Sequence, residues 1–140
     1  MPEIEDTQAR LEAASDLPGL LAVAWDAFSL LLAACQDSED RSVELFAAFA
    51  FAAAAAAEGR LVIAGAPSLP PDSSHTASSG VSGEPDPDKL ADALAGLAVR
   101  LGERLLSAAR EAADPGDRDA CQDAAAQAAR VCEILEPDRP

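Results

Sequence analysis

Three cysteines are the most reactive side chains in the sequence, and their spacing limits the chemistry open to them. Cys121 and Cys132 are 11 residues apart, so they share one face of a helix but are separated by about 16 Å along its axis. They cannot form a disulfide within that helix. Cys35 ends one predicted helix and Cys121 begins another, so an up-down-up-down bundle would bring these two thiols to the same end. We therefore treat Cys35 and Cys121 as redox candidates. The simpler interpretation is that all three thiols are buried as small hydrophobic groups.

Acid–base and metal chemistry have little support. The single histidine, His75, lies in a segment rich in Pro, Ser and Gly, and no Cys-x-x-Cys or Glu-x-x-His pattern occurs. Asp26 is the one carboxylate inside a long apolar run. We expect it to lie on an exposed strip or to pair with an arginine such as Arg100 or Arg104, since a buried carboxylate would have a raised pKa. No nucleophile–base pair, phosphate loop or dinucleotide motif occurs. The sequence predicts no enzyme activity, no metal and no cofactor.

The aromatic side chains are concentrated in one part of the chain. Rings that face many alanines could leave a crevice for a small apolar ligand. The candidate ligand-binding residues are Trp25, Asp26, Phe28, Phe46 and Phe49. The alternative is that the rings fill the space beside small side chains. Phe51 lies off the main apolar stripe, so we predict that it is exposed or at an interface.

Composition predicts an all-α domain with a strongly acidic surface. Alanine, the best helix former, is abundant, whereas β-branched residues and aromatics are scarce. The net charge of −15 would repel nucleic acids and anionic lipids, so we predict neither as a partner. The acidic N-terminus does not resemble a signal peptide, and an odd number of cysteines does not suggest a secreted disulfide framework. We expect a cytoplasmic protein.

Residues 17–35 form an apolar run that is long enough to span a membrane. Asp26 at its centre would cost about 2.5–3.5 kcal/mol on insertion, and no basic residues flank the run. These features argue against a membrane span.

Apolar periodicity and capping residues predict a single domain, 1–140, with the fold of a four-helix bundle and a short extra N-terminal helix. The bundle would consist of two helical hairpins joined by a long flexible loop. The predicted segments are a short helix 3–15, main helices 17–36, 41–65, 87–113 and 118–136, and a flexible linker 66–86. Asp16, Asp86 and Asp117 are the predicted N-caps of three main helices.

Helix 41–65 contains two adjacent apolar stripes. The predicted core face carries Val43, Phe46, Ala50, Ala53, Ala57, Leu61 and Ala64, and the stripe beside it carries Leu45, Phe49, Ala52 and Ala56. Gly59 either ends the helix or lies within it, at a cost of about 1 kcal/mol relative to alanine. We favour continuation, because the spacing persists to Leu61. A short strand at 61–63 is the alternative.

Residues 17–35 and 46–57 are almost free of charge, so these helices must be covered on most sides. In a short chain, two neighbouring helices cannot cover all of this apolar surface, and a second copy of the chain could cover the rest. We therefore predict a non-enzymatic protein that acts through protein–protein contacts as a homodimer. A small apolar ligand-binding bundle and a thiol-based redox switch are the alternatives.

Overall fold

The computed structural model describes residues 1–71 and 80–136, which are helical and contain no strand. The helices are α1 (Pro2–Ala13), α2 (Leu17–Ser38), α3 (Phe46–Ala64), α4 (Pro87–Glu111) and α5 (Pro115–Leu135), with a 3₁₀ turn at Glu39–Arg41. The all-α prediction is therefore confirmed. The alternative strand at 61–63 does not form, since these residues belong to α3.

Two of the predicted N-caps are in place. The Asp16 carboxylate accepts the backbone N–H of Gly19, and the Asp86 carboxylate accepts that of Lys89. A proline follows each cap within the first two helical positions. Backbone N–H groups at these positions have no acceptor within the helix, so the missing N–H of proline costs no hydrogen bond. These local interactions fix the starts of α2 and α4.

The predicted cap of α5 is wrong. Asp114 caps this helix by accepting the backbone N–H groups of Gly116 and Asp117, at 2.7 and 3.4 Å. The helix therefore begins at Pro115, three residues earlier than predicted. Asp117 is instead buried, and its carboxylate accepts both the backbone N–H and the hydroxyl of Ser68.

Helix α3 begins later than predicted, at Phe46 instead of residue 41. Ser42 has an extended backbone, with φ −145° and ψ 119°, and its hydroxyl accepts the N–H of Leu45, so the chain turns before α3 begins. The helix then continues through Gly59. A Cβ at this glycine would lie 2.3 Å from a ring carbon of Phe28, so only glycine lets the ring of α2 pack this closely against α3.

The predicted core face of α3 is wrong at most of its positions, although Ala53 is buried. Phe49, Ala52 and Ala56, which belong to the second stripe, are buried, whereas Phe46 and Leu61 are largely exposed. Val43, also assigned to the core face, precedes the helix and is almost fully exposed. Both stripes are apolar, so periodicity alone did not distinguish them.

The remaining large side chains form a continuous core. The leucine stripe of α4, Leu90, Leu94, Leu97, Leu101 and Leu105, is buried along its whole length, and α1 contributes to the same cluster. The largest fully buried side chains are Leu11, Leu21, Phe28, Leu31, Phe49, Ile63, Leu90, Leu94, Leu97, Leu101, Leu105 and Val131.

The main helix contacts are α2 with α3, α3 with α5, and α5 with α4, while α1 lies against α4 and α2. Helix α5 thus packs on α3 and α4. The predicted proximity of Cys35 to Cys121 required α5 to be the neighbour of α2, and the main contacts do not pair these two helices. Both cysteines are free thiols.

The described ends of the predicted flexible linker are held against the helices. Ser68 binds the start of α5 through Asp117, and Ser82 donates its N–H and hydroxyl to the Glu3 carboxylate of α1. The carbonyl of Pro85 accepts a hydrogen bond from Arg41. Both described ends of this segment therefore contact the rest of the fold. Residues 72–79, which include His75, lie outside the described residues.

Candidate functional site

The predicted ligand-binding aromatics lie in different environments. Phe28 and Phe49 are fully buried in the core, and Phe28 fills the space left by Gly59. Trp25 is half-buried under the Arg60 guanidinium, whose Cζ lies 5.3 Å from the ring centroid. This distance is typical of a cation–π interaction. The clefts described below are lined by other residues, so the structure favours the interpretation in which the rings fill gaps.

Asp26 is paired with an arginine, but not with either of those predicted. Arg10 of α1 contacts its carboxylate, with Nη2 2.7 Å from Oδ2. Arg100 instead lies 3.4 Å from Glu12, and the Arg104 guanidinium donates to backbone carbonyls at the end of α1. Asp26 therefore helps to hold α1 on α2, since the ion pair joins these two helices.

Burial raises the pKa of the two cysteines that we selected as redox candidates. Desolvation, followed by the charge of Glu39, raises the pKa of Cys35 to about 12. Desolvation and then the charge of Asp117 raise the pKa of Cys121. Because the thiolate is the nucleophile in thiol oxidation and exchange, these environments disfavour a switch at neutral pH.

Metal-ligating side chains do not cluster in the described ranges. Residues 1–71 and 80–136 contain no group of three or more His, Cys, Asp or Glu side chains that could hold a metal ion.

The most unusual surface is the outward side of α3. Phe46, Phe51 and Leu61 are 49%, 65% and 67% exposed. They lie among alanines that are exposed or half-exposed. At about 100° of rotation per helical residue, these side chains cover an arc of about 140° of the helix circumference. We call this surface the α3 face, and it comprises Phe46, Ala47, Ala50, Phe51, Ala54, Ala57, Glu58, Leu61 and Ala64. Glu58 is its single charged residue.

The centre of the α3 face has the spacing of a coiled-coil seam. Steps of three and four residues alternate along the row Ala47, Ala50, Ala54, Ala57, Leu61 and Ala64. Such a row meets a second helix along its whole length, and small side chains allow the two helix axes to approach closely. Sequence reasoning found part of this row but assigned it to the protein's own core.

A groove of about 630 Å³ runs between the α3 face and α5. Its lining residues are Phe51, Ala54, Ala55, Glu58, Gln127, Arg130 and Ile134. The two charged members are Glu58 and Arg130, both exposed. Neither makes a hydrogen bond or an ion pair with another described residue. Sequence reasoning missed this groove, because it depends on α5 packing beside α3.

A second cleft, of about 530 Å³, lies between the α1–α2 connection and the end of α4. Its one arginine, Arg104, already donates to the carbonyls of Leu11 and Ala14. This guanidinium therefore holds the end of α1 in place and is not free to bind an anion.

Two described helical segments are long and apolar enough to cross a membrane. Leu17–Arg41 has a mean hydropathy of 1.8 and is 61% buried, and Phe46–Ala64 has 1.6 and is 39% buried. The buried core helix of a soluble protein has the same properties, so these values are weak evidence for a membrane span.

No protein-family model matches the chain, and comparisons with curated proteins and with solved structures give no match.

Proposed function

We propose that this is a non-enzymatic helical protein that acts through protein–protein contact and forms a homodimer through the α3 face. The observation that supports this proposal is the exposed seam of α3, flanked by Phe51 and Leu61, in a helix that already buries its opposite side. An apolar row of this regularity is stable in water when a second helix covers it.

Charge limits how a second copy of the chain can approach. Each subunit carries a net charge of −15, so two copies repel each other over most of their surfaces. The α3 face carries one charge, that of Glu58, and offers the approach with least repulsion. A two-fold interface also requires a surface that fits itself. In an antiparallel pair centred near Ala55, Leu61 would pack beside Ala50 of the partner subunit.

Within one subunit, the proposal is that α2, α3, α4 and α5 form an antiparallel four-helix bundle with α1 alongside. The order of helix contacts supports this arrangement. So does the bond between Ser68, just after α3, and Asp117, in the first turn of α5, because it joins the end of one helix to the start of the other. Gly80 lies against Ala34, near the end of α2, and thereby supports the same arrangement for α2 and α4.

The size of the α3 face supports a reversible dimer. Its three large side chains and the surrounding alanines expose on the order of 500 Å² per subunit, which is below the area of a standard stable interface. A dissociation constant in the micromolar range is therefore expected.

Sedimentation velocity over about 0.5–100 µM, a range that brackets a micromolar dissociation constant, tests the proposal. The expected result is a concentration-dependent shift from the mass of one chain, 14.3 kDa, to twice that mass. A single species at the mass of one chain throughout the range would overturn the proposal. So would stable binding of the monomer to neutral lipid vesicles, since the α3 face would then be covered by lipid.

A further inference from the structure

We infer that Glu58 of each subunit pairs with Arg130 of the partner subunit, so that two reciprocal ion pairs join the homodimer across the α3–α5 groove. This inference rests on the proposed homodimer and specifies how the two copies fit together. It begins from the two charged groups of the groove, which are opposite in sign, exposed and without an ion pair to another described residue.

The levels of these groups along the helices can be read from one contact. Ser68 follows the end of α3 and binds Asp117 in the first turn of α5, so the two helices run in opposite directions. Counting along α5 from this bond and back along α3 from its end at Ala64, with about 1.5 Å per helical residue, puts Arg130 opposite the middle part of α3, and Arg130 lines the same groove as Ala55. Ala55 is the midpoint of α3, whose bounds are Phe46 and Ala64.

A two-fold axis through the middle of α3 would bring both copies of Arg130 close to that axis. Two guanidinium groups there would repel each other if they were left alone. Glu58 is three residues from Ala55, or about 5 Å along α3, and its copy lies at the same distance on the other side of the axis. Each carboxylate then faces the partner subunit's Arg130, and the four charges sum to zero.

The same geometry explains why the only charged residue of the α3 face is compatible with an apolar interface. Glu58 borders the groove at the edge of the alanine seam, beside Phe51. At such an edge a charged pair keeps contact with water, so its two members need not be fully desolvated. The pair would set the register and direction of the two α3 helices, because a shifted or parallel pairing separates Glu58 from the partner subunit's Arg130.

Charge exchange tests the inference directly. The variants are Glu58→Arg, Arg130→Glu and the double variant, compared by sedimentation at matched ionic strength. Each single variant should weaken the dimer about tenfold or more, because two like-charged pairs replace two ion pairs. The double variant should return to within about threefold of the original dissociation constant, since both pairs are restored with reversed polarity.

Exposed charges on α4 provide the matched controls. Glu103→Arg and Arg110→Glu make the same changes in net charge on a helix that has no main contact with α3. They should change the dissociation constant by less than about threefold. Circular dichroism of every variant checks that the helices are intact.

The outcomes separate the inference from the proposed homodimer. If the original chain dimerises but the double variant loses affinity as the product of the two single effects, the ion pairs are refuted while the homodimer stands. If the α4 controls weaken the dimer as strongly as Glu58→Arg and Arg130→Glu, the effect is one of net charge and the inference fails. If the original chain does not dimerise, both ideas fail together.

Discussion

Replacing Phe51 by alanine should weaken the proposed homodimer without destabilising the subunit. Phe51 is 65% exposed, so it offers about 130 Å² of a side-chain surface of roughly 200 Å² to a partner. At about 25 cal/mol per Å², covering this area contributes about 3 kcal/mol per subunit, and alanine would retain about a third of it. The loss is about 2 kcal/mol per subunit and about 4 kcal/mol for a symmetric dimer, or roughly 1,000-fold in the dissociation constant.

The matched control is Leu106→Ala on α4. Leu106 is another exposed apolar residue, 46% exposed, on a helix that has no main contact with α3. Sedimentation over the same concentration range should show a monomeric Phe51→Ala protein and an unchanged Leu106→Ala dimer. Thermal unfolding should be similar for both, since neither side chain is in the core. An unchanged dissociation constant for Phe51→Ala, or an equal loss for Leu106→Ala, would refute the assignment of the interface to the α3 face.

Three further predictions concern the subunit itself. Gly59→Ala should destabilise the fold by about 1–3 kcal/mol in urea unfolding, because its Cβ would lie 2.3 Å from the phenylalanine ring of α2. Gly96→Ala should not, because its Cβ would make only an ordinary contact, 3.9 Å from the side-chain nitrogen of Gln8, and equal midpoints for the two variants would contradict the packing. The hydrogen bond from the Ser82 hydroxyl lowers the pKa of Glu3 below its usual 4.5, so the ionised carboxylate stabilises the fold above that pH, and this stabilisation is lost as the pH falls through the lower folded pKa. The urea midpoints of the original chain and Ser82→Ala should therefore differ at pH 7 and converge in acid. A difference that does not change with pH would exclude this cause. Cys35, with its pKa raised to about 12, should resist thiol reagents in the native protein at pH 8 and react on denaturation, and equal labelling rates in both states would contradict its burial.

The features that the sequence predicts well depend on neighbouring residues in the chain. Asp16 and Asp86 cap α2 and α4 because an aspartate followed by a proline satisfies the first backbone N–H groups wherever the helix later packs. The leucine stripe of α4 recurs at steps of three and four residues and is buried, because the opposite face of this helix is mostly polar and leaves one orientation open. In such helices the pattern of the sequence and the burial in the fold agree.

The failures arise where local patterns permit two answers. Asp114 and Asp117 can both cap a helix; Pro115 follows Asp114 as in the other capped helices, and the Asp117 carboxylate instead binds Ser68, 49 residues away in sequence. The α3–α5 groove depends on which helices become neighbours, a property that the sequence of neither helix contains. The partner of Asp26 follows from the docking of α1, which supplies Arg10.

The orientation of α3 is the failure with the largest consequence for function. A helix that is apolar around most of its circumference has no polar side to face water, so its rotation is set by shape. Gly59 admits the ring of Phe28, and Arg60 stacks on Trp25 and donates to Ser29 at 3.4 Å. These contacts with α2 hold one side of α3 inward and leave the opposite side, the α3 face, uncovered.

This choice of rotation also explains why the exposed row is regular. With alanine at most positions on both sides, α3 can pack closely against its own core and against a second helix at the same time. The inward side carries Gly59 beside the buried Phe49 and Ile63, and the outward side carries the exposed Phe51 and Leu61. A single alanine-rich helix thereby has one face fitted to its own subunit and another of the kind that pairs with a second helix, and the division between them is fixed by Gly59.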